Sequence, residues 1–541
     1  MNSIPTVPPI SPLAQGADDA NEWAWARKPV RMRFRTAGLI FILACAFFLW
    51  SEPRQALEFG GDEGMEFGKI QLLLQHPDLA KLAWNDQSWF YSEVFAAIFQ
   101  VTGFQCAIPR LFTVLVVGGL LISFLRLMPE GSGWLHLIGA WLFFWCWPEV
   151  PWLTLSAMLE MPAIGLAIIA VAFTPRHRAE WQSWRFVVAG VLFAIAAQIK
   201  LTALIVLPAL AVKLVWLFAR SKSGEAPTHM DRGSPWLLPL SLGCGTFVVG
   251  YAIIACWSPE WDWTQLWASH LAAGATSQAN QFPLKSEYLL QSPGTMVGAL
   301  LSLVILWRQR RTYEVAFVLT LSVTVFVVFF AHRPWWYYYG IHFAIPLTIL
   351  GGWGAAELIL NGMRYDRRLS RKQFAFTSEK SLILGALVVS LWAGFEFPRG
   401  YEAMLAVRQT GRIMDNEAFN ELKKYQRQAK WAFSQCAILM AQAGYVLPPE
   451  IAVLPQKRYW TGNMTEGKVL EFVRQYQCDV LLLYSDRELR ESEGSGTGWS
   501  KFVEDNYVEV WSDGEECIFV TKRWHPEPKQ NIDNFLNRLG I

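Results

Sequence analysis

RMRFRTAGLIFILACAFFLW, residues 31–50, runs directly into SEPRQALEFGGDEGMEF, residues 51–67. Arg27, Lys28, Arg31, Arg33 and Arg35 lead into the apolar run Ala37–Trp50. A secretory leader has the same order but is followed by a small-residue cleavage site, and none follows here. The first stretch therefore reads as a transmembrane helix whose positive N-terminus stays in the cytoplasm. The second stretch then lies on the outer side. It places two adjacent carboxylates, Asp62 and Glu63, a short step beyond the span.

Composition agrees with lipid as the main solvent. Only 17% of the 541 residues are charged, against about 25% in soluble chains. The 28 Trp fit helices that cross the headgroup level. Apolar spans recur near 109–128, 134–149, 152–173, 184–199, 201–219, 236–257, 292–307, 314–331, 339–360 and 381–397. Several approach the ~20 residues that cross a bilayer. With the first span, the reading is a polytopic α-helical membrane protein with about 11 transmembrane helices.

The basic residues test this topology. The loops expected inside carry Arg176, Arg178 and Arg185, then Arg220, Lys222 and Arg232, then Arg308, Arg310 and Arg311, then Arg364, Arg367, Arg368, Arg371, Lys372 and Lys380. Outer loops hold isolated cations such as Lys285 and Arg333. That asymmetry follows the positive-inside rule. An odd number of spans puts the C-terminal part outside.

Three regions are expected. Residues 1–36 form a disordered, basic cytoplasmic tail. Residues 37–397 form the membrane module, with a first outer loop at 52–108. Residues 398–541 form an outer, accessory α/β domain, because no phosphate-cradling glycine loop occurs there. In that domain Asp415–Trp431 and Lys468–Gln477 read as helices, and Cys436–Met440 and Asp479–Tyr484 as buried strands. Tyr507–Trp511 and Cys517–Thr521 read as a hairpin around Ser512-Asp513-Gly514. Cys436, Cys478 and Cys517 leave one disulfide open in an oxidising compartment. Gly243, Gly245 and Gly250 inside a span suit close helix packing.

In the first outer loop, Phe67, Ile70 and Leu74 recur at helical spacing, with Lys69, Gln71 and Gln75 between them. This is the pattern of a helix lying in the interface plane. His76-Pro77-Asp78 ends it, Asp86–Phe95 reads as a second interfacial helix, and Pro109-Arg110 opens the next span. A carboxylate partly desolvated at the membrane surface gains basicity and can take a proton from a hydroxyl. Asp62 also suits a helix cap, and the two roles are compatible.

Taken together, Asp62-Glu63, the amphipathic helix, Trp84-Asn85-Asp86-Gln87, the second helix and Pro109-Arg110-Leu111 resemble the GT-C superfamily of membrane glycosyltransferases. The pattern is most similar to bacterial relatives of the protein O-mannosyltransferases and of the lipid A aminoarabinose transferase, over residues 37–397. The resemblance implies a GT-C enzyme of a bacterial inner membrane with a periplasmic C-terminal α/β domain. It implies inverting transfer of a sugar from a polyprenyl-phosphate donor to a lipid, polysaccharide or protein acceptor, with no nucleic acid involved. The superfamily's first-loop Asp maps to Asp62, as general base or acceptor-orienting group. Its catalytic neighbour maps to Glu63, in a structural or hydrogen-bonding role.

Other matches keep two readings each. Glu160, near the outer end of a span, is a substrate or metal candidate or a hydrogen-bonded structural acid. Lys200, in Gln198-Ile199-Lys200-Leu201-Thr202, neutralises the donor phosphate or snorkels at the interface. Arg333 is a second phosphate candidate, since guanidinium pairs bidentately with phosphate. Tyr338, in the aromatic run after it, stacks on sugar or belts the interface. Asp86 and Gln87 are substrate candidates, although this chain lacks the prolines and the lysine that relatives carry there. A divalent cation at Asp62, Glu63 and Glu160 stays open. Two other classes compete. A flippase or transporter for a lipid-linked sugar puts its site at the midplane between repeats, which the outer-loop position opposes. A non-catalytic accessory subunit fits the missing prolines.

Overall fold

Backbone groups in lipid find no water, so an apolar run that crosses a bilayer closes its hydrogen bonds internally as a helix. The computed structural model describes residues 34–59, 61–176, 180–222, 237–257, 263–363, 377–484 and 496–524. The expected tail and many of the inner-loop cations, among them Arg178, Arg232, Arg364, Arg367, Arg368, Arg371 and Lys372, lie outside these residues.

The chain opens with α1 (Phe34–Trp50), α2 (Gly61–Gln75), α3 (Phe90–Thr102), α4 (Ala107–Leu127), α5 (Trp134–Trp145), α6 (Glu149–Leu155), α7 (Glu160–Phe173) and α8 (Ser183–Ile199). A 3-10 turn at Leu201–Val206 leads into α9 (Leu207–Lys222). Then come α10 (Leu237–Trp257), α11 (Trp263–Gly274), α12 (Pro293–Arg308), α13 (Ala316–Ala331), α14 (Gly340–Gly362), α15 (Ser378–Leu391) and α16 (Phe397–Gln409). Among the described residues, five stretches are long and apolar enough to cross a membrane: Ala107–Leu127, Leu201–Ala219, Leu237–Cys256, Tyr337–Gly362 and Ser378–Gln409. The pair α6 and α7 makes a sixth if taken as one span, bent by 93°. Gly38–Trp50, α5, α8, α12 and α13 are apolar but shorter. Pro162 accounts for the bend. It has no N–H to donate, and its ring would clash with the carbonyl of Met158 in a continuous helix.

Glycines bring the helices together. α14 is buried along most of its length. A Cβ on Gly352 would lie 2.3 Å from the Ala140 nitrogen on α5, and one on Gly354 would lie 2.4 Å from the Gly298 oxygen on α12. Between α8 and α10, a Cβ on Gly190 would meet the Gly243 oxygen at 2.4 Å, whereas Gly245 faces open space. Gly352→Ala is therefore expected to force α5 and α14 apart, at a cost of about 1–3 kcal/mol. The check is the melting midpoint in detergent, with Gly245→Ala as the control that leaves it unchanged.

The first outer loop differs from the expected surface helices. Lys69 and Gln71 of α2 are buried, not solvated. One side of α2 meets α3, and the other meets α18 (Ala437–Ala443) of the C-terminal part. A Cβ on Gly64 would lie 2.9 Å from the Ile438 nitrogen, and Gln71 Nε2 donates to the Ala441 carbonyl at 2.8 Å. The second helix starts at Phe90, later than Asp86. Ahead of it, Asn85 Oδ1 accepts from the Gln87 N–H at 3.2 Å and Ser88 Oγ from the Phe90 N–H at 3.2 Å, which holds a turn.

The C-terminal part contains α17 (Glu417–Tyr425), β1 (Ala432–Ser434), α18, α19 (Gln456–Trp460), α20 (Glu466–Gln475), β2 (Val480–Tyr484), α21 (Gly496–Asn506), β3 (Tyr507–Ser512) and β4 (Glu516–Thr521). The sheet order is β1-β2-β4-β3, with β1 parallel to β2 and the other neighbours antiparallel. The strand expected at Cys436–Met440 is a correction. It is the helix α18, built from strong helix formers and closed by Gly444 at φ +88°. The eight cysteines are all free, so the disulfide left open does not form.

Candidate active site

Glu63 and Arg110 set the geometry. Both side chains are fully buried. Glu63 Oε1 accepts from Arg110 Nε and from the Ala157 N–H, each at 2.8 Å. Its Oε2 accepts from Arg110 Nη2 at 2.8 Å and from the Phe59 N–H at 2.9 Å. The other guanidinium donors go to the carbonyls of Pro53, Ala56 and Leu57 at 2.6, 2.9 and 3.2 Å. All five guanidinium protons and the carboxylate's acceptor sites are thus occupied. The break between α6 and α7 frees the Ala157 N–H for this contact. The pair fastens the 53–59 segment, α2, α4 and the broken helix into one block, and Glu63 has no lone pair left for substrate.

Asp62 stands one residue earlier on that block, partly exposed. The Tyr338 hydroxyl reaches its carboxylate. Three buried ion pairs surround it. Lys69 binds Glu66 at 2.5 Å, and Ser92 Oγ donates to the same carboxylate at 2.9 Å. Lys200 binds Glu160, and its ammonium lies 5.2 Å from the Tyr338 ring centre. Lys457, from α19, binds Asp86, which also holds His270 Nε2 at 3.0 Å. The charge of Asp62 acts on both Lys200 and Lys457. Burial pulls Lys200 down to about 8, and the bonded Glu160 keeps the ammonium charged. Burial, with His270, Lys200 and Arg333 nearby, holds His332 down to about 4. It is therefore neutral at pH 7 and adds a hydrogen-bonding group rather than a charge.

Next to these pairs opens a cleft of about 440 Å³, walled by Asp86, Gln87, Lys200, Thr202, His332 and Arg333 among others. Gln87 Oε1 and Thr202 Oγ1 are buried with no hydrogen-bond partner among the described residues. Both residues line the cleft. The cation site considered at Asp62, Glu63 and Glu160 does not assemble. Glu63 is saturated by Arg110 and backbone N–H groups, and Glu160 is bonded to Lys200. Among the described residues no three His, Cys, Asp or Glu side chains converge as a metal site.

The structure brings Asp62, Asp86, Gln87, Glu160, Lys200, Arg333 and Tyr338 to one place and turns Glu63 away from it. Sequence reasoning missed Arg110, Glu58 and Lys457. A cation at the mouth of an apolar span was the available signal for Arg110. Glu58 is pushed up to about 8 by burial and by the Glu63 charge, while the Gly64 N–H it accepts pulls the other way. It therefore carries its proton at pH 7. Because its folded value exceeds the ordinary 4.5, its contribution favours the fold below that value and is lost as pH rises through about 8. Glu58→Gln is expected to match the parent in activity at pH 7, to melt with it near pH 4, and to melt increasingly higher than it as pH rises to about 8. Melting curves across pH 4 to 9 would show this.

No protein-family model and no curated protein sequence matches the chain. Among solved structures, the chain is similar to ArnT from Cupriavidus metallidurans bound to undecaprenyl phosphate. The two share 12% identity and a TM-score of 0.56, covering 90% of this chain and 98% of that one. The Archaeoglobus fulgidus oligosaccharyltransferase in its apo form aligns at 10% identity and a TM-score of 0.49, covering 92% and 76%. The end-to-end likeness to ArnT shows a shared fold.

Proposed function

We propose that the chain is an inverting membrane glycosyltransferase that moves a sugar from a polyprenyl-phosphate donor to an acceptor hydroxyl on the outer face of the membrane. One observation carries the reading. Of Asp62, Glu63, Glu66, Asp86 and Glu160, Asp62 alone has no cation bonded to it among the described residues, and its charge acts on Lys200, which lines a cleft together with Arg333. The shared fold with a structure holding undecaprenyl phosphate supports the same donor class.

The chemistry follows from the arrangement. The acceptor hydroxyl gives its proton to Asp62 as its oxygen attacks the anomeric carbon. The bond from that carbon to the phosphate oxygen breaks with inversion, and its electron pair leaves with the phosphate. Lys200 and Arg333 meet the charge that grows there. Gln87 and Thr202 offer hydrogen-bonding atoms to the donor. Tyr338 holds Asp62 in place and forms the floor under Lys200. The long apolar helices and the bent pair support a polytopic membrane protein, and the expected topology has the site and the C-terminal sheet on the periplasmic side of an inner membrane.

The test uses the full chain in lipid nanodiscs with undecaprenyl-phosphate-linked sugars and an envelope glycolipid extract. Acceptor-dependent release of undecaprenyl phosphate, with inversion at the transferred sugar, is expected. Release without sugar on any acceptor, or none with any donor, would contradict the reading.

A further inference from the structure

We infer that Lys457, on the short helix α19, is a ligand for the donor's phosphate, so that the C-terminal part completes a binding site otherwise built by the membrane helices. The inference rests on the donor class proposed above. It goes beyond that reading by placing part of the donor site in the part of the chain that sequence alone marked as accessory.

Four observations carry it. First, the Lys457 side chain is only 17% exposed, and its ammonium meets Asp86 in the wall of the cleft. Second, an ammonium has three donors. Asp86 is the one hydrogen-bond acceptor on Lys457 Nζ among the described residues, so two donors remain for a ligand, and burying them unused is costly. Third, the side chain is held in place, with its ammonium 5.2 Å from the Trp84 ring centre. Fourth, α19 is fastened to the segment that carries Arg333. Trp460 stacks on Trp336 at 6.0 Å and on Phe282 at 5.6 Å, and the Trp335 N–H donates to the Phe282 carbonyl at 2.7 Å. The helix of Lys457 and the segment of Arg333 are therefore joined.

Charge points to an anion. Lys200, Arg333 and Lys457 stand against Asp62, Glu160 and Asp86, with His332 neutral, and Arg333 has no carboxylate bonded to it among the described residues. A phosphate facing the cleft offers acceptor oxygens to Arg333 and to the two unused donors of Lys457. The loop Asn85-Asp86-Gln87-Ser88 carries no cation of its own. Asp86 instead holds one that arrives from 371 residues further along the chain. The competing explanation is that Lys457 and Asp86 only fasten the C-terminal part to the loop.

The experiment measures binding of undecaprenyl phosphate, without sugar, to the full chain in nanodiscs, with undecaprenol as the uncharged control. Lys457→Met is expected to weaken phosphate binding about ten- to a hundredfold and to leave undecaprenol binding unchanged. Lys457→Arg is expected to retain most of the affinity. The double variant Asp86→Asn/Lys457→Met leaves no unpaired buried charge, and it is expected to bind the phosphate as weakly as Lys457→Met. Three results would overturn the inference. Parent-like phosphate binding by Lys457→Met would remove the lysine alone. So would recovery of binding in the double variant, which would assign the pair a fastening role. A parent chain that does not prefer undecaprenyl phosphate over undecaprenol would remove the proposed donor class as well.

Discussion

Asp62→Asn is expected to lower turnover by about 10²- to 10⁴-fold, the range for loss of a general base, with the melting midpoint unchanged. The geometry separates the two readouts. Asn keeps the shape of Asp, and its amide oxygen still accepts from the Tyr338 hydroxyl that reaches Asp62. No ion pair is broken, since Asp62 has no bonded cation among the described residues. Only the capacity to take a proton is removed. Sugar release in nanodiscs reads the first quantity, and thermal unfolding in detergent reads the second. A helix-capping role alone would leave both stability and turnover near the parent, because Asn caps a helix as well as Asp.

Arg110→Met is expected to destabilise the chain by about 3–5 kcal/mol, the cost of breaking a buried ion pair from one side, and to abolish activity with it. The substitution leaves Glu63 buried with two backbone N–H partners, from Phe59 and Ala157. It also strips the carbonyls of Pro53 and Ala56 of their donor and leaves that of Leu57 with the Gln442 amide alone. The 53–59 segment then loses its tie to α4, and Asp62 loses its fixed position. Glu63→Gln alone is expected to cost less, because its amide oxygen still accepts from the guanidinium. The double variant Glu63→Gln/Arg110→Met is expected to fall short of the sum of the two single losses, because the side chains share one network. Unfolding curves in detergent for the four proteins close this cycle. Additive losses would show that the two side chains act independently.

These two variants show how much was legible in the sequence. The adjacent carboxylates were visible, and so was their place after the first span. The resemblance already gave Asp62 the base role and Glu63 a structural or hydrogen-bonding one. What fixes Glu63 was not visible, because its partner is an arginine on a helix 47 residues further along, and local pattern does not report such partners. The apolar spans were legible because lipid forces helices on them. Polar side chains inside α2 were misread as a solvated face. Periodicity gives the apolar stripe of a helix but not what its polar side meets, and here Lys69 and Gln71 meet a buried carboxylate and the C-terminal part. The strand expected at Cys436–Met440 failed for a related reason. A short apolar run fits either a buried strand or a buried helix, and Gly444 closes it as a helix. Lys457 carried no sequence signal, since nothing around it marks a site and its partner Asp86 lies far away in the chain.

The central claim is that Asp62 drives sugar transfer at the outer face. Its most direct test is mass spectrometry of envelope glycolipids and polysaccharides from three strains: parent, deletion, and Asp62→Asn with the protein shown to be folded in the membrane. The account predicts that deletion and Asp62→Asn lack the same sugar, whose mass names the transferred group and its acceptor. A sugar lost on deletion but retained with Asp62→Asn would contradict it, and would move the role of the chain to transport or assembly.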